Sequence, residues 1–494
     1  MSTKKILLIY PHYSYPRKNP PMGLAYIAGY LEQRKIPVKI LDFNVLSDAN
    51  QQMEKMIAAQ EVLYVGISFM TSQFDSAKNI AKTIKALDKN LPVIIGGPHA
   101  SSIPEQTLEE MPGVDIVCMG EGEEVSFELA CTIGKKQKLN DIKGIVFRDG
   151  NIIINTTRRA LIEDINALPF PAWHLLDLQK YSVMSGGGDL NLPTFVLLSS
   201  RGCPNHCIFC DSHSVFSRKF RERSAENIFS EIEFLNKNYG MVQFDFVDDL
   251  ITLKKNRILR FCELLQNSKV KYTWMANARV NTVDSEMLES MAKAGCVRID
   301  LGVESGDPEV RKKTHKNITN EQIISAHKNA QKFGITTSTF LMVGNLGEDF
   351  NSVNMTAELM MDIAMDTNVA IACPYPGTEL YQIAKKNNWI KTFDWGRYVT
   401  SPTYQPNYEP VMVTDKMNQA EILEAYYLLH SYFVKKKFTA RYGRYFLFNS
   451  HFWTEWVFKA NSQGGYLRKL SMAMSLLSAR LGSKKSSRNK MVNG

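Results

Sequence analysis

At 494 residues, 44% of them hydrophobic and 22% charged, the chain is too long for one ordinary core and too apolar for disorder. A net charge of +9 is modest for this length, and no Lys/Arg stripe interleaves with aromatics, so no nucleic-acid partner is indicated. Eight cysteines in so long a chain do not make a disulfide framework, and metal binding or catalysis is the better reading. No apolar run reaches the roughly 18 residues that cross a bilayer. The opening Met1-Ser-Thr-Lys-Lys5 leads into Ile6–Tyr10, which is too short for a secretory leader and has no small-residue cleavage site, so a cytoplasmic location is expected.

Residues 1–135 alternate short apolar runs with helical patterns. Ile6–Tyr10, Val38–Asp42, Leu63–Ser68, Val93–Gly97 and Ile116–Met119 read as buried parallel strands. Gly23–Gln33 and Asp75–Asp88 carry the three- and four-residue apolar spacing of amphipathic helices. This alternation predicts an α/β domain with a doubly wound parallel sheet, whose ligand belongs at the carboxyl ends of its strands. Those ends are small or polar: Pro11-His12-Tyr13, Asp42-Phe-Asn44, Ser68–Ser72, Gly96–Ser101 and Gly120–Glu124. Residues 136–190 read as a linker, with a hairpin-like turn at Phe147–Asn151 and a Pro-rich Leu168–Trp173.

Strand–helix alternation resumes over 191–410, with strands expected at Thr194–Ser200, Val242–Val247, Tyr272–Ala276, Arg298–Val303, Thr336–Met342 and Val369–Cys373. Units of this kind suit a partial or complete parallel barrel, with its chemistry at the strands' carboxyl ends. Residues 411–494 read as a helical, aromatic-rich region ending in a basic tail, Lys484–Lys490. Within it, Tyr445–Phe458 could lie on a membrane surface, but packing over the barrel mouth or against a substrate pocket is favoured.

Five cysteines (Cys118, Cys131, Cys262, Cys296, Cys373) stand singly among apolar neighbours, as small buried hydrophobes do. The other three form Cys203-Pro-Asn-His-Cys207-Ile-Phe-Cys210 at the end of the first barrel strand. Such spacing lets one loop offer thiolates to three corners of an iron–sulfur cube and leaves the fourth iron open. A zinc site would recruit His206 or His213, but zinc knots usually pair two short-spaced ligand couples and no second couple lies nearby.

With the later strand ends included, the pattern resembles the radical S-adenosylmethionine (SAM) superfamily. The resemblance implies a [4Fe–4S] cluster on Cys203, Cys207 and Cys210, with Phe209 near the adenine of SAM. It implies that Asp248 and Asp249, in Phe246-Val-Asp-Asp249, meet the methionine amino group, and that Arg279 meets its carboxylate. Gly302-Val-Glu304-Ser-Gly306 resembles the motif whose carboxylate holds the ribose. Met342-Val-Gly-Asn-Leu-Gly-Glu348 is close to the family's Gly-Leu-Pro-Gly-Glu loop, with Asn345 and Leu346 departing from it, and Pro374–Thr378 also matches.

The first domain is similar to the cobalamin-binding domain that precedes this barrel in one branch of the superfamily. Pro20–Ala25, Gly96–Ser101 and Val114–Glu123 carry that likeness. It implies cobalamin contacts from Ser68, Gly96, Gly97, His99, Gly120, Glu121, Gly122 and Glu123. The usual Asp-x-His-x-x-Gly is missing, because the first strand leads into Pro11-His12-Tyr-Ser-Tyr15. A lower cobalt ligand from a protein histidine is therefore not expected. The implied activity is cobalamin-dependent radical methylation of a small-molecule or lipid-like substrate, with electrons from a flavodoxin or ferredoxin. An oxidative enzyme like the anaerobic magnesium-protoporphyrin monomethyl ester cyclase is the second reading. A non-catalytic iron–sulfur redox sensor is the third, and the SAM-type strand ends argue against it.

Overall fold

The computed structural model describes residues 4–13, 19–135, 137–181, 194–361, 363, 366–405 and 407–442. The apolar runs of the first part form strands β1 (Lys5–Tyr10), β2 (Val38–Asp42), β3 (Val62–Ser68), β4 (Val93–Gly96) and β5 (Ile116–Cys118), all parallel. Runs of this type are covered on both faces, as parallel sheets require. In β1, Ile6 and Leu8 face one core while Leu7 and Ile9 face the other.

The sheet does not stop at β5. β6 (Ile145–Asp149) and β7 (Ile152–Asn155) form the hairpin foreseen at Phe147–Asn151, and β6 pairs antiparallel with β5. The sheet order is β2-β1-β3-β4-β5-β6-β7. Part of the stretch expected as linker is therefore edge sheet, because Ile145, Val146 and Phe147 are buried against the first domain's cores. The rest of that stretch also packs. Trp173 is buried, its ring 6.1 Å from that of Phe195, and its indole N–H donates to Glu231 at 3.0 Å.

The second sheet is wholly parallel: β8 (Phe195–Leu197), β11 (Gln243–Phe246), β12 (Thr273–Arg279), β13 (Cys296–Glu304), β14 (Thr336–Val343) and β15 (Asp366–Ile371), in the order β15-β14-β13-β12-β11-β8. Among the described residues β8 and β15 do not pair, so this is a partial barrel. Helices Ala225–Tyr239, Lys255–Asn267, Ser285–Lys293, Asn320–Lys332 and Phe350–Met361 join successive strands.

The run expected as one strand over Thr194–Ser200 is broken. Asp248 accepts Ser199 N at 3.0 Å and Ser199 Oγ at 2.7 Å, which turns the chain out of the sheet. Beyond that turn β9 (Ser200–Arg201) pairs antiparallel with β10 (Arg221–Glu222).

Helix Gln419–Tyr442 closes the described chain. It lies against β15 and helix Phe350–Met361 and buries Tyr426, Leu429 and Phe433. The aromatic run Tyr445–Phe458 and the basic tail lie outside the described residues. Among those residues no helix is long and apolar enough to cross a membrane.

Candidate functional site

Two regions hold the residues singled out in the sequence. The first is the cysteine loop at the carboxyl end of β8 and β9. Its apex, Ile208, donates its N–H to Thr314 O at 3.2 Å, and its carbonyl accepts Leu380 N at 2.9 Å. Side-chain donors approach two of the three sulfurs: Asn205 Nδ2 lies 3.2 Å from Cys203 Sγ and Arg279 Nη1 lies 3.4 Å from Cys207 Sγ. Burial, reinforced by Asp249 and Asp211 nearby, pushes the Cys210 thiol up to about 12. An incoming metal must therefore displace a proton there.

Three cysteines on one short loop, two with N–H donors on sulfur, are a donor set that fits an iron–sulfur cluster. Among the described residues no three His, Cys, Asp or Glu side chains are grouped as a single metal ion would need. A cube takes one thiolate at each of three irons, so its ligands stand further apart.

The strand ends around this loop divide into committed and open groups. Asp248 is committed: its carboxylate is buried in the Ser199 and Ser200 hydrogen bonds, so it shapes the loop entrance and does not present itself to a ligand. Asp249 is exposed. Desolvation by the surrounding protein, with Asp248 and Asp211 beside it, pushes its carboxyl up to about 6. Glu304 sits at φ +70° and pairs with Lys316 Nζ at 2.8 Å. Gly302 makes room for that pair, since a Cβ there would come within 2.6 Å of Lys316 Nζ and 2.9 Å of Glu304 Oε1. Arg279, expected at the methionine carboxylate, instead reaches Cys207 Sγ and the Lys316 carbonyl. Phe209 packs against the cluster that holds Ile208 and Met342. Where the β14 loop departs from the usual motif, Asn345 closes the turn through its side chain to Met342 O at 2.8 Å. Glu348 accepts Gly344 N at 2.6 Å and Asn345 N at 3.1 Å.

The second region is a cavity of about 420 Å³ at the carboxyl ends of β1, β3, β4 and β5. Ser68, Gly96, Gly97, Gly120, Glu121, Gly122 and Glu123 all line it. Its remaining walls are mainly apolar, with Tyr10, Tyr13 and Met70 linked by hydrogen bonds of 2.5 Å and 3.4 Å. An apolar hollow edged by glycines and a few polar groups suits a large flat cofactor. Gly97 is required there: at φ +97° a Cβ would lie 2.6 Å from Phe69 O.

His99 departs from expectation. It does not line the cavity but packs on the sheet's other face, 5.6, 5.2 and 5.1 Å from the rings of Phe69, Phe74 and Trp395. Burial lowers its pKa to about 3, and it reaches Thr71 Oγ1 at 3.2 Å.

The two glutamates have partners that the sequence did not reveal. Arg201 Nη1 and Nη2 reach Glu121 and Glu123 at 2.7 and 2.6 Å, and Arg221 reaches Glu121 at 2.8 Å. The far side of the cavity is closed by barrel residues, including Val196, Leu198, Phe216 and Val247.

Residues 197–360 match the radical SAM superfamily model, and residues 14–130 match the B12 binding domain model. An uncharacterised methyltransferase from Pyrococcus horikoshii is 32% identical over 81% of this chain and 87% of its own length. The chain belongs to the cobalamin-binding branch of the radical SAM superfamily. An anaerobic magnesium-protoporphyrin IX monomethyl ester cyclase from Rubrivivax gelatinosus is 27% identical over 85% of this radical SAM chain and 75% of its own. In fold, the chain is similar to the radical SAM methyltransferase TsrM from Kitasatospora setae, whose structure holds cobalamin and a [4Fe–4S] cluster. The TM-score is 0.65 at 19% identity, covering 79% of this chain and 76% of that one.

As a radical SAM enzyme of this branch the protein uses a [4Fe–4S] cluster, SAM and cobalamin. The four single cysteines Cys118, Cys262, Cys296 and Cys373 are buried, as small hydrophobes are, and Cys131 is half-buried. Arg201, Arg221 and Lys316 escaped sequence reading. The only hint was an Arg-Gly pair directly ahead of Cys203.

Proposed function

We propose that this protein is a cobalamin-dependent radical methyltransferase acting on an unactivated centre of a small-molecule or lipid-like substrate. One observation carries the reading: the cavity at the first sheet's strand ends is walled on its far side by residues of the strands that bear the cysteine loop and Asp249. A cofactor seated there would face the barrel mouth, and a substrate between the two regions would be within reach of both. When bound, the reduced cluster with SAM supplies a 5′-deoxyadenosyl radical and cobalamin supplies a methyl group.

The chain's own residues provide holding and orientation. Cys203, Cys207 and Cys210 would hold the cluster through three of its irons. Asp249 is the accessible carboxylate for an ammonium group, and Glu304, steadied by Lys316, stands where ribose hydroxyls would be held. Phe209, packed against the cluster that holds Ile208 and Met342, offers an apolar wall for an adenine. The apolar cavity lining excludes water from the meeting point. A small carrier of the flavodoxin or ferredoxin kind supplies the electron.

The test is anaerobic incubation of the fully loaded enzyme with SAM, a strong reductant and cell-extract metabolites. Chromatography then follows 5′-deoxyadenosine and S-adenosylhomocysteine. Both products are expected, the second only when cobalamin is present. Deoxyadenosine alone would favour the cyclase-type reading, which the 27% identity to the Rubrivivax enzyme supports. Neither product from loaded enzyme would sink both.

A further inference from the structure

The polar wall shared by the cavity and the cysteine loop is a closed set of four charges. Glu121 stands on the loop after β5 and Glu123 opens the helix Glu123–Lys135 that follows, Arg201 ends β9 two residues ahead of Cys203, and Arg221 is its partner across the β9–β10 pair. No side chain of the four is more than 4% exposed. Arg201 spans both carboxylates, at 2.7 and 2.6 Å, and Arg221 Nη1 reaches both oxygens of Glu121, at 2.9 and 2.8 Å. Two positive and two negative charges cancel inside the group, as burial requires. Buried sets of this kind serve registry better than stability, because neutral packing of the same shape would hold the surfaces together as well.

Arg201 itself has little freedom. Its guanidinium lies 5.2 Å from the ring centre of Tyr26 and 5.3 Å from that of Phe216. Gly202, at φ +81°, would place a Cβ 2.4 Å from Lys219 O, so the step from Arg201 to Cys203 runs tight against neighbouring backbone.

We infer that Arg201 is a positioning residue that ties the cysteine loop to the cavity wall through Glu121 and Glu123, holding cluster and cobalamin at one separation. The inference rests on the functional reading above. It concerns a distance, however, and a distance can be read without turnover.

In holoenzyme reduced to the paramagnetic cluster and cob(II)alamin, electron paramagnetic resonance reports their spin–spin interaction. In Arg201→Met that interaction should weaken or disperse at unchanged iron and cobalt content. The ratio of S-adenosylhomocysteine to 5′-deoxyadenosine should fall about tenfold or more, as misplacement by about an ångström does elsewhere. Arg201→Lys should recover part of both, since a point charge reaches one carboxylate where the planar fork reaches two. A loaded Arg201→Met enzyme with wild-type spin interaction and product ratio would overturn the inference. Should that variant not fold, Glu123→Gln removes one anchor and leaves the other, and a wild-type spectrum there overturns it equally. A wild-type enzyme that never transfers methyl would sink the functional reading alone, leaving the spectroscopic comparison intact.

Discussion

The barrel mouth and the cavity of the first sheet are both strand-end sites, yet they are built from different material. Around the cysteine loop the site is made of side chains: thiols, carboxylates and cations, most of them with a specific partner. In the cavity, backbone does much of it, since glycines and apolar walls leave space and polar groups are few. A site made of side chains is damaged by removing atoms, and a site made of space is damaged by adding them.

The largest expected effect tests the first half. Cys203→Ala should prevent stable cluster assembly and lower 5′-deoxyadenosine formation by at least about a hundredfold, read as iron content and product. Cobalamin binding should survive, which would separate the two regions. The second half is tested by a neighbouring pair of glycines. Gly97→Ala adds a methyl 2.6 Å from Phe69 O at a positive φ and should cost about 1–3 kcal/mol of stability and weaken cobalamin binding. Gly96→Ala meets nothing nearer than 3.6 Å and should stay within about 0.5 kcal/mol by thermal unfolding. If both glycines behave alike, the cavity is not governed by space.

Next in size is Glu304→Gln. It removes one charge of a buried pair and leaves Lys316 uncompensated, so SAM affinity measured by calorimetry should fall about tenfold, with iron content unchanged. The smallest effect is a slope. Burial pushes the Glu348 carboxyl up to about 8 from its ordinary 4.5. A raised carboxyl favours the protonated fold, so its contribution is complete below the ordinary value and is lost as pH rises through about 8. Glu348→Gln should flatten that loss, seen as denaturation midpoints compared near pH 6 and near pH 9. A slope unchanged by the substitution would assign the pH dependence to other groups.

The same contrast explains what the sequence could disclose. Both sheets were legible because Ile6–Ile9 and similar runs are apolar on both faces, a pattern that water permits almost nowhere else. The cysteine loop was legible because its ligands are contiguous, so spacing alone conveys geometry. The β6–β7 hairpin was seen as a turn but assigned to a linker, since nothing local tells which sheet an edge hairpin joins. His99 was misplaced because a helix beginning at Pro98 turns it to the opposite face from Gly97, one residue after the chain leaves the cavity. Arg201 and Glu121 lie 80 positions apart, and Lys316 and Arg279 lie 37 apart. Pairings over such separations are products of the fold and have no local signature.

The two backbone hydrogen bonds at Ile208 have a consequence for upkeep. Thr314 and Leu380 grip the apex of the cysteine loop from two distant segments, and neither bond involves a sulfur. The course of the loop is thus set in part by main-chain pairing with two distant segments, independently of the three thiols. Upkeep of that shape falls to main-chain atoms, which no side-chain substitution at Thr314 or Leu380 removes unless it is a proline at Leu380.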